Sequence, residues 1–171
     1  SMLKDWQGKP VHINKEGAYM GFLTMSTGIV RMSHEHTDIL IDIRYPNDMD
    51  AKEIMEGFDQ ACAEKKSNIH ATLDSDSAPL FVDPDSKLVT ELMNVYRKHT
   101  KDDFSCAMTI GGGTYARIFD NFVSFGPELP NEEKTTDQFV GGPHQRDEGV
   151  KIDDLMQAIA IYADAIVALA G

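Results

Sequence analysis

Between His36 and Cys62 the spacing of apolar residues changes from two to four, and that change bounds what the chain can fold into. Ile39, Ile41, Ile43 and Tyr45 alternate with Leu40, Asp42 and Arg44. A period of two puts the first set on one face of a half-buried strand. Pro46-Asn47-Asp48 ends that strand, and Asp48 or Asp50 can cap a helix over about residues 50–66. Within it Ile54, Phe58 and Cys62 recur every four residues, with Ala61 beside them, which makes one apolar stripe. Phe22 to Val30 suits a preceding strand, and the RMSHEH segment between the two strands suits an antiparallel turn. Ile69, Ala71 and Leu73 alternate again and predict a third strand. Strand–strand–helix–strand is the order of a small α+β sheet with helical cover on one face. Residues 1–16 are polar and mixed, and read as an irregular lead-in.

A second unit opens at Asp83-Pro84, read as N-cap and first residue of a helix whose stripe is Leu88, Leu92, Val95 and Tyr96. Phe104, Cys106, Met108 and Ile110 alternate into a strand that runs into Gly111-Gly112-Gly113. A short helix from Thr114 to Asp120, a short strand from Phe122 to Phe125, and a long loop from Gly126 to Pro143 follow. The last helix spans about Asp153 to Ala170, with Leu155, Ile159, Tyr162, Ile166 and Leu169 on its expected buried face. The 171 residues thus divide into an α+β unit over residues 1–82 and a strand–helix unit of α/β type over 83–171.

Charge narrows the partners. A net charge of -12 disfavours nucleic acid and anionic membranes, because both need a basic footprint. No apolar run approaches the roughly 20 residues of a membrane span. Cys62 and Cys106 lack the spacing of a CxxC metal site or a disulfide framework, and a reducing cytoplasm is expected.

Four places carry chemistry-bearing residues. His144 lies in GGPHQRDE, Gly141 to Glu148, where a flexible turn can present an imidazole to zinc; it can equally be a solvated loop histidine. The turn Ile110-Gly111-Gly112-Gly113-Thr114 either lets backbone N–H groups approach an anion or is a tight turn needing positive φ. Arg117 follows three residues later, near the same face of the short helix. Arg44 points away from the Ile39/Ile41/Ile43 face, where it can fork onto a carboxylate or face water. His34 and His36 are expected to be exposed and idle, and both cysteines to be core residues.

Three segments, in this order, resemble one family: LIDIRYP (Leu40 to Pro46), TIGGGTYAR (Thr109 to Arg117) with VSFGPELP downstream, and GGPHQRDE followed by IDDLMQAIAIYADAIVALA. They are similar to the PepV-type bacterial dipeptidases of the aminoacylase/carnosinase/carboxypeptidase-like dizinc metallopeptidases, over nearly the whole chain from about residue 20. The resemblance implies that His144 binds one of two zinc ions and that Arg44 contacts the substrate, either holding its carboxylate or polarising the scissile carbonyl. Gly112, Gly113 and Thr114 would lie beside the substrate pocket, and Arg117 matches by motif. Residues 1–82 would be part of a lid, and 83–171 the end of a catalytic domain. The family's other zinc ligands and its general-base glutamate lie in an N-terminal segment with no counterpart here. The chain is therefore expected to be a C-terminal fragment of a zinc-dependent dipeptidase, inactive by itself and binding no zinc alone. A non-catalytic carboxylate-binding or assembly module is the alternative. Faces left uncovered by such a cut would favour a homodimer.

Overall fold

A computed structural model describes residues 2–66, 68–126, 129 and 144–171. It is an α+β chain whose described elements include two small antiparallel sheets and three α-helices. They fall into two units, one running to Phe81 with Thr109–Gly112 added, the other formed by Val82–Met108 and Gly113–Gly171. No helix among the described residues is long and apolar enough to cross a membrane.

In the first unit, β1 (Glu16–Gly17) pairs with β2 (Gly21–Phe22), and β3 (Thr24–Met32) pairs antiparallel with β4 (Thr37–Arg44). The longer ladder runs from Thr24 opposite Arg44 to Met32 opposite Thr37, with a bulge at Gly28 between Thr27 and Ile29. Ser33 closes the connecting turn: its Oγ accepts from the His36 N–H at 3.0 Å, and its own N–H donates to the His36 carbonyl at 2.9 Å. Helix α1 (Ala51–Glu64) starts where Asp50 accepts from the Glu53 N–H at 2.8 Å, so Asp50 is the cap. Its buried face is Ile54, Gly57, Phe58, Ala61 and Cys62, the stripe that the spacing of four predicts.

The first residues are not a lead-in. Pro10 sits in the first turn of a 3-10 segment, Lys9–Val11, and Gly8 before it sits at φ 71, a conformation cheap only for glycine. This turn drives Val11 and Ile13 into the core with Leu23, Met25, Met49, Ile54, Phe58 and Ala61. The Met25 N–H donates to the Trp6 carbonyl at 2.6 Å, and the Leu23 N–H to the Lys15 carbonyl at 2.8 Å, so β3 is stitched to the early residues. A Cβ on Gly57 would lie 2.6 Å from the Val11 carbonyl oxygen, which is how closely the early segment lies on α1. Fully burying a side chain such as Ile13 contributes about 1.5–3 kcal/mol. The third strand predicted around residues 69–73 does not form: Ala71 leans on the core, while Ile69 and Leu73 are exposed. Alternating apolar residues supply a face, but a strand also needs a hydrogen-bonding neighbour, and among the described residues none runs beside this segment.

In the second unit the predicted cap moves. Asp83 and Pro84 form a turn, with the Ser86 N–H donating to the Asp83 carbonyl at 3.0 Å and the Asp85 N–H to Asp83 Oδ1 at 2.8 Å. Ser86 is the true N-cap of α2 (Lys87–Thr100), accepting from the Val89 N–H at 3.3 Å. Helix α3 (Ile152–Ala170) spans the predicted range but buries another face. Ala158, Ile161 and Ala165 are its buried residues, and Ile161 and Ala165 pack with Leu92 and Val95 of α2, while Leu155, Ile159, Tyr162, Ile166 and Leu169 stay exposed. Small alanines let α2 approach closely, and the larger residues lie on a neighbouring, exposed face. Lys98 Nζ (2.7 Å) and His99 Nε2 (2.9 Å) both meet Asp164 Oδ2 and tie the helices together. These partners, Lys98 first, hold the Asp164 carboxyl below the ordinary aspartate range. The strands predicted at 104–110 and 122–125 are not formed, and Phe104 is 95% exposed. Cys106 is exposed, against its predicted core position; Cys62 is buried as expected. The long loop predicted from Gly126 to Pro143 lies almost wholly outside the described residues.

Candidate functional site

Arg44 is the last residue of β4, and the strand's alternation decides where it points. Ile41 and Ile43 pack on the core, so Asp42 and Arg44 face outward. The Arg44 Nη1 donates to the Gly111 carbonyl at 2.6 Å, across 67 residues of sequence. Its Nε lies 3.5 Å from Asp42 Oδ2, an ion pair between two exposed side chains. A guanidinium held this way presents further N–H donors with the planar spacing that suits a carboxylate.

The glycine turn does not work as either local expectation has it. Positive φ among the described glycines occurs at Gly8 and Gly21, and not at Gly111, Gly112 or Gly113. What Gly111 permits is close approach: a Cβ there would sit 3.1 Å from Arg44 Nη1. A Cβ on Gly112 would meet no described atom within 4 Å. The helix that follows is one 3-10 turn, Tyr115–Ile118, too short to build an N-terminal anion site. Thr114 occupies its N-cap position, and the Thr114 hydroxyl accepts from Ser124 Oγ at 2.7 Å. The Arg117 N–H donates to the Thr114 carbonyl at 3.2 Å, and the Arg117 side chain is exposed. A Cβ on Gly113 would lie 3.8 Å from Arg117 Cδ.

His144 is exposed, at φ 63, and its N–H donates to Glu148 Oε2 at 2.9 Å. Gly141, Gly142 and Pro143, which precede it, lie outside the described residues. His36 Nε2 sits 3.4 Å from Asp38 Oδ2 at the exposed hairpin turn, and His34 beside it is exposed. Among the described residues no three or more His, Cys, Asp and Glu side chains group closely enough to hold a metal ion. His144 with Glu148 offers at most two donors, so these residues do not by themselves fit a zinc site, which takes at least three protein ligands.

The structure thus joins Arg44 with Gly111 in the first unit, and Gly113, Thr114 and Arg117 in the second. Two partners of Arg44 escaped the sequence reading. Asp42 was recognisable in principle, since residues two apart on a strand share a face. The Gly111 carbonyl had no local signal.

No family model matches the chain. The chain is 36% identical over 169 residues to Putative dipeptidase YtjP of Bacillus subtilis (strain 168), covering 97% of this chain and 33% of that protein. It is 30% identical over 151 residues to a putative dipeptidase of Staphylococcus aureus (strain USA300), covering 88% of this chain and 30% of that protein. The chain spans about a third of the length of these curated relatives. Over nearly all of its own length it is therefore similar to one part of a putative bacterial dipeptidase.

Proposed function

We propose that this chain is the substrate-carboxylate-binding part of a metal-dependent dipeptidase, with Arg44 as the receptor. The observation that carries the reading is the 36% identity across 97% of the chain to a protein named as a putative dipeptidase. The outward Arg44, tied to Gly111, gives that kinship a chemical role. A dipeptide ends in a carboxylate, and a guanidinium recognises it through paired, charge-assisted hydrogen bonds. In the family that the sequence resembles, two zinc ions supply an activated water and polarise the scissile carbonyl. The part proposed for this chain is binding and orientation of the substrate. His144 is proposed to contribute one ligand to a site completed by the rest of a longer protein. Gly112, Gly113, Thr114 and Arg117 are proposed to border the substrate.

Two assays test this. The isolated chain, given zinc, manganese or cobalt, is expected to turn over no dipeptide; metal-dependent turnover lost in His144→Ala would show a complete enzyme instead. In the full-length parent, Arg44→Ala should raise KM for dipeptides by roughly ten- to a hundredfold, the worth of a charge-assisted hydrogen bond. An unchanged KM would favour the reading as a non-catalytic assembly module. We further propose that the chain forms a homodimer, since several large apolar side chains of α3 face outward. A cytoplasmic setting fits Cys62 and Cys106, neither of which is in a disulfide.

A further inference from the structure

We infer that Asp42 and the side-chain-free backbone of Gly111 are positioning groups, holding the Arg44 guanidinium in place for the substrate carboxylate. This rests on the carboxylate-binding role proposed above. An exposed arginine has many rotamers, and a receptor that must first be ordered binds less well than one already held. Burial does not order Arg44, because it is exposed at the end of β4. Contacts do so from two directions. The segment Thr109–Gly112 returns to the first unit and offers the Gly111 carbonyl to Nη1 at 2.6 Å. Asp42, two residues back on the same strand face, stands 3.5 Å from Nε.

Glycine at 111 is explained by this approach. Its φ is not positive, so the backbone conformation does not demand glycine. A Cβ would sit 3.1 Å from Nη1 and 3.5 Å from Cδ, the first distance tighter than ordinary contact, and would press the guanidinium away from the carbonyl. Next in the chain, Gly112 leaves room: a Cβ there meets no described atom within 4 Å. Asp42 is no rival for the substrate's carboxylate: at 3.5 Å it acts by charge through an exposed pair. Such pairs are weak. A carboxylate that forks onto two N–H groups is the stronger partner. Asp42 therefore orients the guanidinium from its Nε side, which leaves the Nη1/Nη2 end to the substrate.

The test reads the Arg44 side chain directly, by hydrogen exchange of its Nε–H in a nitrogen-15-labelled sample of the 171-residue chain. Asp42→Asn and Gly111→Ala should each speed that exchange by about two- to fivefold, the range expected for an exposed ion pair. Asp42→Glu should restore it in part. Asp38→Asn, on the same strand but with its carboxylate facing His36 of the hairpin turn, should leave it unchanged. Titration with glycylglycine should shift the Arg44 signal in the native chain and do so more weakly in Asp42→Asn. Exchange at Arg44 that is the same in native, Asp42→Asn and Gly111→Ala chains overturns the positioning. Tighter glycylglycine binding by Asp42→Asn makes Asp42 a competitor and overturns its assigned role. Faster exchange in both variants with no glycylglycine response in the native chain upholds the positioning and overturns the carboxylate reading alone.

Discussion

The two units of this chain bury their apolar residues by different means. In the first, the core draws on pieces far apart in sequence: Val11 and Ile13 from the early 3-10 turn and the residues after it, Leu23 just before β3 and Met25 within it, and Ile54, Phe58 and Ala61 from α1. Backbone contacts close enough to exclude a side chain at Gly57 hold these pieces together. In the second, the buried cluster is a contact between two helices, Leu92 and Val95 against Ile161 and Ala165, flanked by Val123, Phe125 and Leu129. Large apolar residues around it, Phe104, Met108, Ile159 and Ile166 among them, stay exposed. The difference teaches that apolar content alone does not give closure. Closure follows from how many segments cover a core, and fewer described segments cover the helix pair.

The sharpest test of that contrast compares two isoleucines. Ile13→Ala should destabilise the first unit by about 3–4 kcal/mol, because its neighbours come from several elements and collapse poorly around a cavity. Ile161→Ala, at a site 2% exposed against 1% for Ile13, should cost nearer 2 kcal/mol, since two helices can slide to close the gap. Denaturant unfolding followed by amide exchange in each unit separates the two. Equal costs would mean that the helix pair is as closed a core as the first unit.

Solution mass probes the exposed side of α3 next. With the proposed homodimer, light scattering should give a mass near twice 19.0 kDa. The double substitution Ile159→Ser and Ile166→Ser should return it to a single chain while changing stability by no more than about 0.5 kcal/mol, as expected at an exposed surface. A native chain that stays monomeric over a wide concentration range counts against self-association.

The smallest effect is one of pH. Asp164 has a folded-state pKa below its unfolded one, held down by Lys98 and then His99. Its contribution is present above about pH 4, the ordinary aspartate value, and is lost as pH falls through the lower folded value. The α2–α3 contact should therefore loosen on acidification below pH 4, seen as faster amide exchange in both helices. Asp164→Asn should weaken the contact at neutral pH and flatten that acid response.

Much of the fold was legible where a local pattern decides the outcome. The alternation through Ile39, Ile41 and Ile43 marked β4, and the fourfold spacing of Ile54, Phe58 and Cys62 marked α1. Errors came where two patterns coexist or none exists. Helix α3 is apolar on both sides, so periodicity favoured the large residues, while packing used Ala158 and Ala165, whose small size is the asset. Val11 and Ile13 stand singly among polar residues and carry no period, yet Gly8 and Pro10 turn them inward. Phe104 to Ile110 has the period of a strand without a neighbour to pair with among the described residues. At the candidate site, the outward direction of Arg44 followed from strand alternation. Its contact with Gly111 did not, because no spacing rule links residues so far apart.

The return of Thr109–Gly112 to the first unit also sets a clock. The chain leaves that unit after Phe81, builds α2, and only then brings back the carbonyl that Arg44 uses. On a ribosome adding about 5–20 residues per second, the 67 residues between Arg44 and Gly111 correspond to a delay of about 3 to 13 s. Through that interval a nascent β4 carries its arginine with Asp42 but without Gly111. The Arg44–Gly111 contact is thus finished late, after the hairpin that bears the arginine has had ample time to form.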